Sequence, residues 1–243
     1  MDNLMLNVSN IQTFIGQFHI LEGVSLEVPK GAITVLLGRN GAGKTTTLKS
    51  ILGLTPPREG IVEFKGNPIQ GKRAYDVAAM GIGYVPEHRA IFSNLSVAEN
   101  LKIAERKKGD LDKKADFIFE LFPDLKRLYK LPGNHLSGGQ QQMLAVARAL
   151  VPDNDLLLID EPSEGLAPIL IQQMMEAIRS LSSKTTVLLV EQNFRMASQL
   201  AEYYYIIDDG KSVQHGKMAD LVNDTETVHR YLGTAVGALG GKR

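Results

Sequence analysis

Three short stretches combine residue types at spacings that can do chemistry. The first, Gly38-Arg39-Asn40-Gly41-Ala42-Gly43-Lys44-Thr45, fits the pattern G-x-x-x-x-G-K-[ST] and is followed by Thr46. It comes directly after the apolar run Ile33 to Leu37 and directly before a helix-like stretch. Glycines let backbone N–H groups turn inward around phosphate oxygens, where a side chain would block the approach. Lys44 adds a point charge for β and γ phosphates. Thr45 offers a hydroxyl to Mg²⁺, and the helix start adds the positive end of its dipole. A Gly-rich turn that only caps a helix would use similar residues, but a chance match to the full pattern in a chain of this size is on the order of 1%. The expected ligand is a nucleoside triphosphate with Mg²⁺.

The second stretch, Asp155 to Ser163, is an apolar strand that ends in two carboxylates, Asp160 and Glu161. Acidic residues often end strands and cap helices without further purpose. Beside a phosphate loop the same pair acquires a role, because a triphosphate–Mg²⁺ site needs a carboxylate to hold the ion's shell and a base to polarise water. Asp160 is assigned to the metal and Glu161 to general base catalysis. The third stretch, Leu136-Ser137-Gly138-Gly139-Gln140-Gln141-Gln142, opens the helical run MLAVARAL. Read alone, it is either an ordinary N-cap or a second anion site of exposed N–H groups and a hydroxyl at a positive helix end.

These residues must be positioned by an α/β scaffold. Strand-like segments occur at 4–8, 20–28, 32–37, 60–65, 82–85, 155–159, 186–190 and 203–207, several of them continuous apolar runs suited to parallel strands buried on both faces. Helix-like stretches at 43–53, 139–150, 168–181 and 194–201 alternate with them. Pro168 suits a helix start, and Ile171, Met174, Met175, Ile178 and Leu181 follow helical spacing, which assigns those methionines to the core. The stretch 88–150 reads as helices joined by loops, with the charged run Glu105 to Lys114 as a solvated face. The expected organisation is one domain over 1–235: an α/β core from 1–87 and 151–235, a helical subdomain from 88–150, and a Gly-rich flexible tail at 236–243.

Composition narrows the partners. Among 243 residues, 27 Lys and Arg balance 27 Asp and Glu, so no basic excess supports binding to nucleic acid. The absence of cysteine removes disulfides, thiolate zinc sites and thiol nucleophiles. The five histidines, at 19, 88, 135, 215 and 229, have no metal-ligand spacing. MDNLMLNVSN lacks the features of a signal peptide, and the aliphatic runs fall far short of the roughly 20 residues needed to cross a bilayer, so a protein soluble by itself is expected.

With LSGGQ (136–140) lying between the phosphate loop and the acidic strand, the chain resembles the ABC ATPase family over nearly its whole length. The resemblance implies a P-loop NTPase core with a small antiparallel β subdomain and an inserted helical subdomain. It also implies ATPase subunits docked head to tail, with Ser137, Gly138 and Gly139 contacting the nucleotide held by the opposite subunit. GIGYVPEHRAIF (81–92), DEPSEGLAP (160–168), VLLVEQN (187–193) and RYLG (230–233) resemble the second ATPase subunit of branched-chain amino-acid importers.

That resemblance implies two transmembrane permease subunits, an indirect link to a solute-binding protein, and a peripheral position on the cytoplasmic face of the cell membrane. The partner ATPase is either a second copy or a non-identical cousin. Urea or a short amide is an alternative cargo, and a soluble non-transport ABC ATPase is the alternative of a different class. Glu87 stands where most members carry a metal-contacting glutamine, and Ala167 replaces the usual aspartate. Gln192 replaces the switch histidine and can hydrogen-bond a γ-phosphate but cannot titrate. Together these departures imply slower or partner-dependent hydrolysis. The family stacks an aromatic on adenine just before an early glycine. Here Ile15 precedes Gly16, and Phe14 either stacks or packs in the N-terminal sheet.

Overall fold

The computed structural model describes residues 3–233, so the expected tail at 236–243 lies outside the described residues. The chain opens with a hairpin, β1 (Leu4–Ile15) and β2 (Phe18–Pro29), followed by β3 (Ile33–Leu37) and α1 (Lys44–Ile51). Next come β4 (Glu59–Phe64), β5 (Asn67–Pro68), α2 (Ala74–Ala79) and β6 (Ile82–Val85). Four helices then follow without a strand: α3 (Val97–Lys102), α4 (Asp110–Leu121), α5 (Pro123–Arg127) and α6 (Gly138–Leu150). The chain continues through β7 (Leu156–Asp160), α7 (Pro168–Ser182), β8 (Thr186–Val190), α8 (Phe194–Leu200), β9 (Tyr203–Asp208) and β10 (Lys211–Lys217), and ends with α9 (Met218–Asn223) and α10 (Thr225–Leu232).

The strands form a four-stranded antiparallel sheet, ordered β2-β1-β4-β5, and a six-stranded sheet, ordered β10-β9-β3-β8-β7-β6. In the larger sheet β9, β3, β8, β7 and β6 run parallel, and β10 closes the edge antiparallel to β9. Successive strand residues point to opposite faces, and the apolar runs therefore feed two cores. Val35, Leu37, Leu157, Ile159, Val187 and Leu189 pack on one face with the helices α3 to α8. Leu36, Leu156, Leu158, Leu188 and Val190 pack on the other with α1 and the antiparallel sheet. The helical stretch has no separate interior: Val97, Leu101, Ile118, Phe122 and Leu144 belong to the same core as the sheet.

Some expectations change. The first strand runs to Ile15 rather than ending near residue 8, continuing past a bulge where Asn10 takes a left-handed φ of 47° and the pairing shifts register between Val8 and Ile11. That bulge interrupts the alternation a sequence reading relies on. The charged run 105–114 is not a uniformly solvated face. Arg106 donates to the Ile82 carbonyl at 2.9 Å, Asp110 is buried and accepts from Lys107 N at 2.8 Å, and Glu105 accepts from Leu111 N at 3.0 Å. Its charges brace α4 and tie the helices to β6. The methionines behave as expected, Met174 being fully buried and Met175 nearly so.

Candidate functional site

Strand order assembles the site. β3, β8, β7 and β6 are neighbours, all parallel, so their C-terminal ends form one edge. In open α/β sheets ligands bind at that edge. The phosphate loop follows β3, Glu191 and Gln192 follow β8, Asp160 and Glu161 end and follow β7, and Glu87 follows β6. A cleft of about 450 Å³ opens there, lined by Asn40, Gly41, Gly43, Lys44, Thr45 and Thr46 on one side and by Glu87, Glu161 and Gln192 on the other.

Gly43 shows why the loop is built from glycine. Its φ is 108°, and a Cβ there would come within 2.7 Å of Leu21 Cδ2. It is also the N-cap of α1 and supplies no side-chain cap, so the first amides of the helix are not bonded by a capping side chain. Lys44 is buried, donating to the Gly38 carbonyl at 3.0 Å and the Arg39 carbonyl at 3.1 Å, and it pairs with Glu161 Oε1 at 3.3 Å. Glu161 also accepts from Gln192 Nε2. The structure thus brings Lys44, Glu161 and Gln192 together around one carboxylate. Glu161 itself has a φ of 46°, a conformation unusual for a residue with a Cβ.

Asp160 is fully buried. Thr45 Oγ1 donates to its Oδ1 at 3.1 Å and the Tyr84 hydroxyl donates to its Oδ2 at 3.3 Å. Burial is the largest influence on its carboxyl and pushes it up to about 6, the negative charges of Glu87 and Glu161 adding to that push while the two hydroxyl donors oppose it. Tyr84 is pushed above the usual phenol range, mainly by its own burial and then by Asp160. An oxygen-only set of carboxylate and hydroxyl suits a hard divalent cation such as Mg²⁺, which takes few protein ligands and completes its shell with phosphate and water. Among the described residues no three His, Cys, Asp or Glu side chains group to hold a metal unaided. The set therefore fits an ion that arrives with a nucleotide.

Sequence reasoning missed two residues. Tyr84 orients Asp160 from the neighbouring strand, a contact visible only through the β6–β7 pairing. Glu191 is 1% exposed and accepts from Ser163 N at 3.1 Å, Ser163 Oγ at 3.0 Å and Asn193 N at 3.1 Å. It ties the turn after Glu161 to the segment carrying Gln192. Burial pushes its carboxyl up to about 7, against the pull of those donors. The sequence signal was a charged residue directly after the apolar run Val187 to Val190.

Two sets of expected residues lie elsewhere. Phe14 is not in the cleft: His19 stacks on one side of its ring at 4.1 Å and the Arg58 guanidinium lies 4.1 Å from the ring centroid. Ile15 and Ile20 line the cleft instead. Ser137, Gly138 and Gly139 are also outside it. Ser137 is exposed and caps α6 reciprocally with Gln140: Ser137 Oγ accepts from Gln140 N at 3.3 Å, and Gln140 Oε1 accepts from Ser137 N at 3.0 Å. Gly139 is buried so tightly that an added Cβ would overlap Leu170 Cδ1, and the Arg89 guanidinium lies directly against Gly138.

A glycine-rich loop at an uncapped helix start, a buried acid beside a hydroxyl, and a second glycine-rich helix start are arranged on one scaffold, and residues 21–164 match the family model described as ABC transporter. This chain belongs to the ABC transporter family. It is 41% identical over 232 residues to the high-affinity branched-chain amino acid transport ATP-binding protein BraG of Pseudomonas aeruginosa, covering 94% of this chain and 100% of that one. It is 35% identical over 222 residues to the probable branched-chain amino acid transport ATP-binding protein LivF of Archaeoglobus fulgidus, covering 90% and 94%. An ATP-binding cassette of an ABC transporter, crystallised in its ADP conformation, superposes with a TM-score of 0.82 at 26% identity over 95% of this chain and 99% of that one. The ABC chain is an ATP-binding, ATP-hydrolysing subunit. No helix among its described residues is long and apolar enough to cross a membrane. ABC cassettes work as dimers within transporter complexes that include membrane components.

Proposed function

We propose that this ABC subunit powers the import of branched-chain amino acids, working on the cytoplasmic face of the membrane with a second ATPase subunit, two permease subunits and a solute-binding protein. The observation that carries this reading is the 41% identity to BraG along that protein's entire length. LivF, from a distant organism, supports it at 35%.

In this reading the γ-phosphate displaces Glu161 as the partner of Lys44, which neutralises it, and frees Glu161 to take a proton from the attacking water. Gln192 orients Glu161 and the γ-phosphate through its amide. Mg²⁺, held by Thr45 and Asp160 with Glu87 on the cleft wall, would neutralise charge that develops on the transferred phosphoryl group. Because Gln192 has no ionisable ring, it cannot carry a proton away from the site, and turnover depends on Glu161 alone as base. Ser137, exposed outside the cleft, and the half-buried Gly138 beside it would reach the nucleotide of the opposite subunit.

The test is reconstitution with the permease and binding-protein partners in lipid. Leucine should stimulate ATP hydrolysis and accumulate inside, and Glu161→Gln should abolish both while ATP still binds. Stimulation by urea or acetamide with no response to leucine would overturn the cargo; unchanged hydrolysis in Glu161→Gln would overturn the base.

A further inference from the structure

The pattern that defines the phosphate loop leaves position 39 free, and this chain places an arginine there. Arg39 does not line the nucleotide cleft. Its side chain reaches instead to the last turn of α10, where Nη2 donates to the Arg230 carbonyl at 2.9 Å. Its main chain belongs to the loop: the Arg39 carbonyl accepts from Lys44 Nζ at 3.1 Å and from Ala42 N at 3.2 Å. One residue therefore joins a distant helix to the lysine of the phosphate loop. The chemistry of the contact is apt, because the last turn of an α-helix leaves carbonyls without intrahelical partners at the negative end of its dipole, and a guanidinium suits both.

α10 is a firm anchor. Asp224 caps its start, accepting from Thr227 N at 3.0 Å, and Gly233 ends it with a left-handed φ of 66°. Val228 is fully buried in the core shared with the larger sheet, and Tyr231 and Leu232 pack against that core. The loop is also held from the β9–β10 turn, where Gly210 N donates to the Ala42 carbonyl at 2.9 Å.

We propose that α10 braces the phosphate loop through Arg39, so that lifting this helix loosens the grip on a bound triphosphate. This rests on the nucleotide reading of the loop. Several amides and Lys44 grip an anion together only in one arrangement of the backbone, and restraint applied before binding removes part of the ordering cost. Arg39 is thus a positioning residue, acting through the loop's backbone and Lys44 and not on the ligand. The sensitivity also gives α10 a regulatory use, since whatever displaces it weakens nucleotide binding at a site it does not touch.

The test is titration calorimetry of the full chain with MgATP. Arg39→Ala should weaken binding about fivefold, and Arg39→Lys should recover about half of that loss, because the contact is a single hydrogen bond that an ammonium can also donate. His229 is exposed, and His229→Pro breaks α10 from its solvent side and shifts the Arg230 carbonyl. Alone it should weaken MgATP by about the same fivefold, and in the Arg39→Ala chain it should weaken it no further. If His229→Pro does not fold, Asp224→Ala, which removes the helix cap, takes its place in the same comparison. An Arg39→Ala affinity within roughly twofold of wild type overturns the proposal. So does a lysine variant as weak as the alanine one. Losses that add in the double variant overturn it as well, by showing that Arg39 acts without α10. If the wild-type chain does not bind MgATP at all, the phosphate-loop reading falls and takes this proposal with it.

Discussion

Two glycine-rich helix starts in this molecule solve the capping problem in opposite ways. At α1 the N-cap is Gly43, which has no side chain, so the amides of the first turn are left for a ligand. At α6 the N-cap is Ser137, and a reciprocal pair with Gln140 consumes two of the donors that a ligand would otherwise use. The first start sits in a cleft of about 450 Å³ with a buried lysine behind it; the second is exposed, with Gly139 wedged against Leu170. An uncapped helix end depends on its ligand, whereas a capped one is stable without it and can wait at a surface. In the proposed function that difference is the one between a start that binds its own nucleotide and a start that meets the opposite subunit's.

Breaking the first start should have the largest effect. Lys44→Ala removes one partner of a buried, hydrogen-bonded pair and leaves Glu161 with Gln192 alone. We expect MgATP affinity to fall by roughly 30-fold or more in titration calorimetry, from the loss of about 2–5 kcal/mol that such truncations cost. An affinity within threefold of wild type would show that the loop's amides alone hold the triphosphate.

The wedge at the second start comes next. Gly139→Ala should cost no more than about 1 kcal/mol in denaturant unfolding, because the half-buried Leu170 side chain that an added Cβ would meet can rotate away, and Leu170→Ala in the same chain should recover that cost. No recovery would mean that the glycine is needed for something other than space. Ser137→Ala removes the cap and should cost about 1 kcal/mol, leaving nucleotide affinity of the isolated chain unchanged. Lost affinity there would erase the distinction between the two starts.

The smallest effect expected is a change in pH dependence. Burial raises Glu191 from 4.5 to about 7, so the folded chain holds a proton that the unfolded chain releases. Its contribution to stability is full below pH 4.5, declines as pH rises, and is lost above about 7. Glu191→Gln should flatten the melting temperature profile between pH 5 and 7 relative to wild type. Identical slopes would show that Glu191 does not titrate in that window.

Much of this was legible in the sequence because it is local. The phosphate loop, the acidic strand and the LSGGQ helix start are contiguous, and the buried parallel strands announce themselves as apolar runs. What escaped was pairwise and long-range. Tyr84 meets Asp160 only because β6 lies beside β7, and Glu191 matters because the turn after β7 folds back onto the end of β8. β10, with alternating exposed and half-buried positions and no apolar run, gave no strand signal. Phe14 was one position from Ile15, and in a strand one position means the other face of the sheet.

The left-handed backbone at Glu161 has an evolutionary reading. At a φ of 46° a glycine or asparagine would sit with less strain, and strain of this kind costs on the order of 1 kcal/mol. A chain selected only to persist would drift toward those residues at position 161. Keeping glutamate there sets a small standing penalty against durability, and screens that reward heat tolerance alone should enrich for idle motors altered at this position.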